Sequence, residues 1–417
     1  MEDRETPQRS GILGRYRSLS PAVLALSFVS FLNDASSEII YPLLPAFLTL
    51  SLGATPFAIG LIEGFAESLA SILKLFSGYL SDRFQTRKLP VFLGYALAAL
   101  SRPLLAFVTS WPQVVIARSA DRVGKGIRGA PRDAIIAASV EPGRRGFAFG
   151  FNRAADHLGA VAGPVIGFLL LLYLAADPEN PTTLEFQRVF LFASIPVAVG
   201  LFVIVLFVRD KKREIWTAPS EPVSLSIRQF DGNFKRFLGV IALFTLSNST
   251  DAFLLLRAED SGVAPAMLPI LWMSLHLSKV LFSLLGGDLS DRIGRRATIL
   301  TGWVIYALVY AGFALANAEW QVWLLVAVYG AYFGLTEGVE KAFVADLVED
   351  EKRGTAFGLY NAAFGIAVFP ASLLFGLVWN SFGAEAAFLG SAALSAVAAA
   401  LLLTVSNPPV KHDLDSI

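Results

Sequence analysis

Residues 78–88, Gly78-Tyr-Leu-Ser-Asp82-Arg83-Phe-Gln-Thr-Arg87-Lys88, return as residues 287–296, Gly287-Asp-Leu-Ser-Asp291-Arg292-Ile-Gly294-Arg295-Arg296. Each copy closes a long apolar run, and a charged turn after such a run marks the place where a helix leaves the hydrocarbon phase. Superposing Asp82 on Asp291 also brings Arg145-Gly146-x-Ala-Phe-Gly to within one residue of Arg353-Gly354-x-Ala-Phe-Gly, and Asn33 close to Asn248. Matches that keep their order across half a chain imply two parallel repeats with a cavity between them.

Composition agrees with a chain that lives in a bilayer. Of 417 residues 55% are hydrophobic and 16% charged, and the mean hydropathy is +0.59. That is too much apolar surface for one soluble core, but it suits many spans of about 20 residues. The formal net charge is zero, which gives no reason to expect a nucleic-acid partner. Cysteine is absent and there are three histidines, so disulfides, thiolate chemistry and an obvious metal cluster are not expected. There is no phosphate-binding loop, and neither ATP nor any other cofactor is expected.

Punctuation by charge, proline and glycine predicts an all-α polytopic protein of twelve transmembrane helices in two pseudo-symmetric six-helix bundles. Residues 1–208 form the first bundle, 209–236 a cytoplasmic linker and 237–417 the second bundle. The last two spans are expected at 354–381 and 384–405. Basic residues fill alternate connections, including Arg144/Arg145, Arg209 to Arg213 and Lys352/Arg353, which predicts that both termini are cytoplasmic. The first apolar stretch contains Asp34 and Glu38 and is longer than a signal-peptide core, so it reads as a retained span. In the linker, Ile227, Phe230, Phe234 and Phe237 make an amphipathic stretch that either lies at the membrane interface or is a plain tether.

Charges inside the spans carry the functional signal. A charged side chain at the bilayer centre costs about 2.5–3.5 kcal/mol even on the lenient insertion scale. Glu67, Arg122, Asp156, His157 and His276 fall close to the midplane of their spans, while Asp34 and Asp251 sit nearer the outer end. Such groups must pair or face water. They are also stacked at helical spacing: Glu63, Glu67 and Lys74 on the second span, Asp121, Lys125, Arg128 and Arg132 on the fourth, and Arg153, Asp156 and His157 within one turn of the fifth. Asn33, Asp34, Ser36, Ser37 and Glu38 form a polar face on the first. Charges near the cytoplasmic edge, such as Lys74, Arg128, Arg132 and Asp133, are better explained by snorkelling or interface pairing. His157 and His276 are equally served by packing.

These features resemble the major facilitator superfamily over essentially the whole chain. The second copy of the repeated loop matches that family's Gly-x-Leu-x-Asp-Arg-x-Gly-Arg-Arg signature, while the first has Gln85 for the glycine and Thr86 for a basic residue. The resemblance implies a gating role for Gly78, Asp82, Arg83, Gly287, Asp291 and Arg292, the acidic residue tying the loop to the other half in one access state; topogenic charge alone is the alternative. Arg122-Val-Gly-Lys-Gly resembles the family's buried-arginine motif, with Lys125 where glutamine is usual. Gly159-Ala-Val-Ala-Gly163-Pro164-Val-Ile-Gly167 resembles the motif associated with proton-coupled exporters, although close helix packing alone would also use it.

The resemblance is to prokaryotic permeases, in particular proton-coupled drug and metabolite exporters. It implies a monomeric secondary transporter of the inner membrane, in contact with lipid, that exchanges protons for a small organic compound and exports it. Asp34, Glu38, Glu67 and Asp156 are the expected proton carriers, with Arg122 modulating them. Asn33, Glu63, Lys125, Arg153, His157, Asp251 and His276 are the expected substrate-cavity residues. A proton-coupled importer of an anionic solute and a transport-inactive sensor or scaffold are the alternatives. An enzyme is not expected.

Overall fold

A computed structural model describes residues 19–83, 87–141, 145–208, 226–349 and 352–406. Ser20 and Pro21 start the chain's first helix as helix-start residues do: the Ser20 hydroxyl accepts the Val23 N–H at 3.3 Å, and proline occupies the first position, where no donor is needed. This rod, α1 (Pro21–Ser51), is regular to Ile40 and then passes through short 3-10, α and π turns around Pro42 and Pro45. It is followed by α2 (Pro56–Arg83), α3 (Lys88–Leu104), α4 (Trp111–Ala138), α5 (Arg145–Leu174) and α6 (Thr183–Phe207). Thr182 and Glu185 form a reciprocal capping box at the head of α6.

The second set opens with α7 (Gly232–Asp260), interrupted between Ser247 and Ala252. Then come α8 (Leu268–Ile293), α9 (Arg295–Leu315) and α10 (Glu319–Asp346). The stretch Arg353–Leu402 is two rods meeting at Gly383, whose φ of 88° is open to glycine and strained for other residues; these are α11 (353–382) and α12 (384–402). Nine helical stretches among the described residues are long and apolar enough to cross a bilayer by that measure alone. The twelve rods follow once the last stretch is divided at Gly383 and two more are admitted: α3, with 17 residues, and α4, with its seven charges. Leu24, Phe28, Leu100, Ile116, Phe202 and Leu308 are among the many large apolar side chains exposed on the outer surface, an extent of exposed apolar surface that suits contact with lipid.

Within the first set α1 packs on α5 and α6, α4 on α2 and α3, and α3 on α6. Within the second, α8 and α9 pack on α10, and α7 and α9 pack on the α11–α12 stretch. The sets meet mainly where α2 crosses α11 and where α5 and α1 reach α8. Leu19, Val91, Ile136, Ala148, Ile204 and Val208 cluster at one end of the molecule. In the second set Asn233 bonds Ser406 and Arg296 bonds the Val405 carbonyl. That end is called the terminal face below.

The aromatic stretch before the seventh span is not a surface feature. Phe230, Phe234 and Phe237 are buried and only Ile227 is exposed. Asp231 caps α7 by accepting the Phe234 N–H at 2.8 Å, so the helix begins at Gly232, inside the stretch expected to be linker. The phenylalanines pack on one another and, through Phe237, on Phe343 of α10.

The glycine stripe of α5 seats that helix on α1. A Cβ at Gly159 would lie 2.5 Å from the Phe31 carbonyl oxygen, and one at Gly163 would lie 2.6 Å from that of Ala35 and 2.7 Å from the Glu38 Cβ. Gly163→Val is therefore expected to destabilise the protein by about 1–3 kcal/mol, seen as a lower midpoint of thermal unfolding in detergent. Gly150→Ala, on the same helix with open space around it, is the matched control and should leave the midpoint unchanged.

Candidate functional site

Between the two sets lies a cavity of about 640 Å³. From the first set it takes Glu63, Glu67, Ser71 and Lys74 of α2 and Arg122, Lys125 and Asp133 of α4. From the second it takes Phe244, Asn248 and Asp251 of α7, Tyr332, Glu337, Glu340 and Lys341 of α10, and Tyr360, Asn361 and Phe364 of α11. It runs from the level of Tyr41 and Asp251 to Lys74, Asp133 and Lys341 near the terminal face. At its inner end α7 is unwound, so Asn248 to Asp251 present irregular backbone to the cavity, the arrangement expected only where such backbone is shielded from lipid.

Several of the charges at this wall are arranged in pairs. Glu63 receives two hydrogen bonds from Arg118, at 2.7 and 2.6 Å, and both side chains are buried. This planar fork is the geometry only arginine offers a carboxylate. Glu67 lies 3.6 Å from Arg122 and is more open, its side chain 37% exposed. Asp251 accepts the Tyr329 hydroxyl at 2.8 Å and sits 3.5 Å from Lys279, whose ammonium lies 3.6 Å from the centre of the Phe333 ring. Lys125 has no ion-pair partner among the described residues and is exposed to the cavity.

A second constellation lies on α1 and its neighbours, outside the cavity wall. Arg102 of α3 donates to Asp121 at 3.1 and 3.2 Å, and to the backbone and side-chain oxygens of Asn33 at 2.8 and 3.0 Å. Asn33 in turn donates to Asp34 at 2.9 Å. Asp156 accepts from Asn152 at 3.2 Å and lies 3.8 Å from Arg132. Glu38 reaches across to the second set: it accepts the Trp272 indole N–H at 2.6 Å and lies 3.7 Å from the His276 Nε2, with Tyr41 packed on Trp272 at 4.9 Å.

Contacts between the halves continue on the side away from the terminal face. Tyr41 lies 3.5 Å from Thr250, Thr49 lies 3.4 Å from Glu259, and Ser68 donates to the Gly365 carbonyl at 2.5 Å. At Gly60 the approach is close enough that a Cβ would lie 2.2 Å from the Ser372 carbonyl oxygen.

The expected site residues are thus divided. Glu63, Glu67, Arg122, Lys125 and Asp251 meet at the cavity, while Asp34, Glu38, Asp156 and His276 belong to the α1–α5–α8 region. Asn33 is a core residue held by Arg102, and Arg153 and His157 are exposed on α5 without lining the cavity. The stripe on α4 splits as well: Asp121 and Arg128 turn to α3, where Arg128 lies over the Tyr95 ring at 4.6 Å, and Lys125 turns to the cavity. Arg102, Arg118 and Glu340 carry much of this chemistry and were not singled out from the sequence. For Arg118 there was a signal, since it precedes Arg122 by one helical turn.

For the repeated loop, the side chains of Asp82 and Arg83 lie outside the described residues, and at Gly78 and Gly287 only the helical backbone is described. In the second copy Gly294 has φ 89°, which explains the glycine of the signature. Asp291 lies 3.7 Å from Arg295, which joins Asp346 of α10 at 2.5 Å, and Asp288 pairs with Arg292 at 2.9 Å. These contacts stay within the second half, at the end where the cavity separates the two sets.

The sequence profile described as Major Facilitator Superfamily matches residues 26–273 and 236–416. An uncharacterized MFS-type transporter of Methanocaldococcus jannaschii is 36% identical over 93% of this chain and 96% of its own length. A probable 4-methylmuconolactone transporter of Cupriavidus pinatubonensis is 26% identical over 78% of this chain and 76% of its own. The multidrug resistance protein MdtG of Citrobacter koseri is 24% identical over 86% and 88%. Among solved structures, a nucleoside transporter NupG variant superposes with a TM-score of 0.74 over 92% of this chain and 99% of its own, at 15% identity, which speaks for the fold alone. With twelve helices in this arrangement and a profile match along nearly its whole length, the chain is a multi-pass membrane transporter and belongs to the Major Facilitator Superfamily.

Proposed function

We propose that this transporter exchanges protons for a small organic compound and exports it, with the α1–α6 and α7–α12 sets rocking about the central cavity and the terminal face turned to the cytoplasm. The observation that carries this reading is Glu38, a titratable side chain held between Trp272 and His276 of the opposite half. The contact exists only while the side away from the terminal face is closed. Opening that side must separate Glu38 from both partners, so a proton on Glu38 and the conformation of the halves bias one another. Glu67, loosely held by Arg122 and open to the cavity, is the carboxylate placed to meet water from the cytoplasmic side. Export is favoured by the name of the relative MdtG, and the alternating basic connections support the orientation.

Proteoliposomes loaded with a pH-sensitive dye and challenged with a panel of organic cations, anions and neutral compounds test this. Glu38→Gln is expected to reduce proton-driven accumulation of whichever compound is moved by at least tenfold, while exchange of that compound at equal concentrations on both sides continues. Undiminished coupling in Glu38→Gln would remove this residue from the proton path. No proton movement with any compound in the unaltered protein would remove proton exchange altogether.

A further inference from the structure

Among the described residues, Glu340 is the cavity-wall carboxylate without an ion-pair partner. Its side chain is buried, the residue being 8% exposed. One oxygen accepts the Trp303 indole N–H at 3.0 Å and the other the Tyr360 hydroxyl at 2.7 Å. Both donors are neutral, and among the described residues no lysine, arginine or histidine nitrogen lies within ion-pair range. The charged groups that act on it, Lys341 and Glu337 of its own helix, are paired with each other at 3.7 Å. A carboxylate has about four acceptor positions, so two hydrogen bonds leave it able to take a further partner.

Its surroundings are built to hold it there. Phe244 stacks on Trp303 with ring centres 4.2 Å apart and planes 5° from parallel, and Phe244 also packs on Tyr306 and Tyr332. Phe244, Tyr332, Tyr360 and Phe364 all line the cavity, as Glu340 does. Aromatic faces beside a buried, uncompensated carboxylate attract an organic cation twice over, through the ring quadrupoles and through the charge. Lys74 and Lys125 on the opposite wall, which have no ion-pair partner among the described residues, are weaker determinants: both are exposed, and water screens their pull on an anion.

We propose that Glu340 and this aromatic cluster form a recognition site for the cationic group of the transported compound, so that substrates are aromatic or bulky organic cations. The proposal rests on the chain's being a transporter with this cavity as its binding site. A bound cation would complete the neutralisation that Trp303 and Tyr360 leave unfinished.

Tetraphenylphosphonium, a permanent cation, and tetraphenylborate, an anion of the same shape, are the probes. Binding of each to the purified protein in detergent is measured calorimetrically between pH 6 and 8.5. The unaltered protein is expected to favour the phosphonium by at least tenfold. Glu340→Gln should weaken phosphonium binding at least tenfold at every pH, and Glu340→Asp, which keeps the charge, should stay within a few-fold of the unaltered protein. Equal phosphonium binding by Glu340→Gln, or a preference for the borate in the unaltered protein, would overturn the proposal. Loss of binding in both variants would do the same, since the charge would then not be what is recognised. The same preparations in proteoliposomes separate the two levels. Phosphonium binding without proton-driven movement of any compound leaves the cation site and removes the proton-exchange reading, whereas proton-driven transport without phosphonium binding does the reverse.

Discussion

Arg118→Ala is expected to destabilise the protein by about 3–5 kcal/mol, the effect of leaving one member of a buried ion pair without its partner. The pair is dry, with side chains 5% and 4% exposed, and both Glu63 oxygens depend on the same guanidinium. Arg118→Lys should recover only part of the loss, because an ammonium cannot make the two parallel bonds. Changing both members, Glu63→Gln with Arg118→Met, should be milder than Arg118→Ala alone, because no charge is then stranded. Unfolding midpoints of the four proteins in one detergent decide it. A loss below about 1 kcal/mol in Arg118→Ala would place the pair with exposed salt bridges and show that water reaches it.

Wedging the α2–α11 crossing open is the other change expected to act strongly, on conformation more than on stability. Gly60→Leu puts a side chain where the Ser372 backbone now stands, with the first carbon of that side chain 2.2 Å from the carbonyl oxygen. The halves must part on that side or the helices must shift, and in either case the equilibrium moves away from the closed arrangement of Tyr41, Thr250, Thr49 and Glu259. The chain has no cysteine, so Thr49→Cys or Thr250→Cys gives a single reporter without background. Modification of those cysteines by a membrane-impermeant maleimide from the side away from the terminal face should rise severalfold in Gly60→Leu, with gradient-driven transport falling at least tenfold. Gly150→Leu, placed in open space, should change neither. Unchanged labelling with Gly60→Leu would mean that the crossing stays closed throughout the cycle.

Hydropathy, repeat spacing and the positions of glycine and proline were enough to foresee twelve helices in two sets of six, because lipid leaves a spanning backbone few options and each span must be about 20 residues long. The family signature was equally legible, and Gly294 shows why: its position needs a positive φ, a local requirement that local sequence records. Helical spacing, and for Arg122 its depth in the span, also showed that Glu63, Glu67, Arg122 and Lys125 had to face protein or water. Periodicity says which side of a helix is polar, not which neighbour that side meets. Only the tertiary structure divided Asp121 from Lys125 on α4, turned Asn33 into the acceptor of Arg102, and set Glu38 between Trp272 and His276. Glu340 is the clearest case: in sequence it is one acid beside Lys341 near a helix end, where snorkelling would account for it. Trp303 on α9 and Tyr360 on α11 are what make it a buried carboxylate facing a cavity. The bilayer imposes span length and polarity on every segment separately, and so the sequence records them; partnerships across helices arise from how the segments pack, and no single segment contains them.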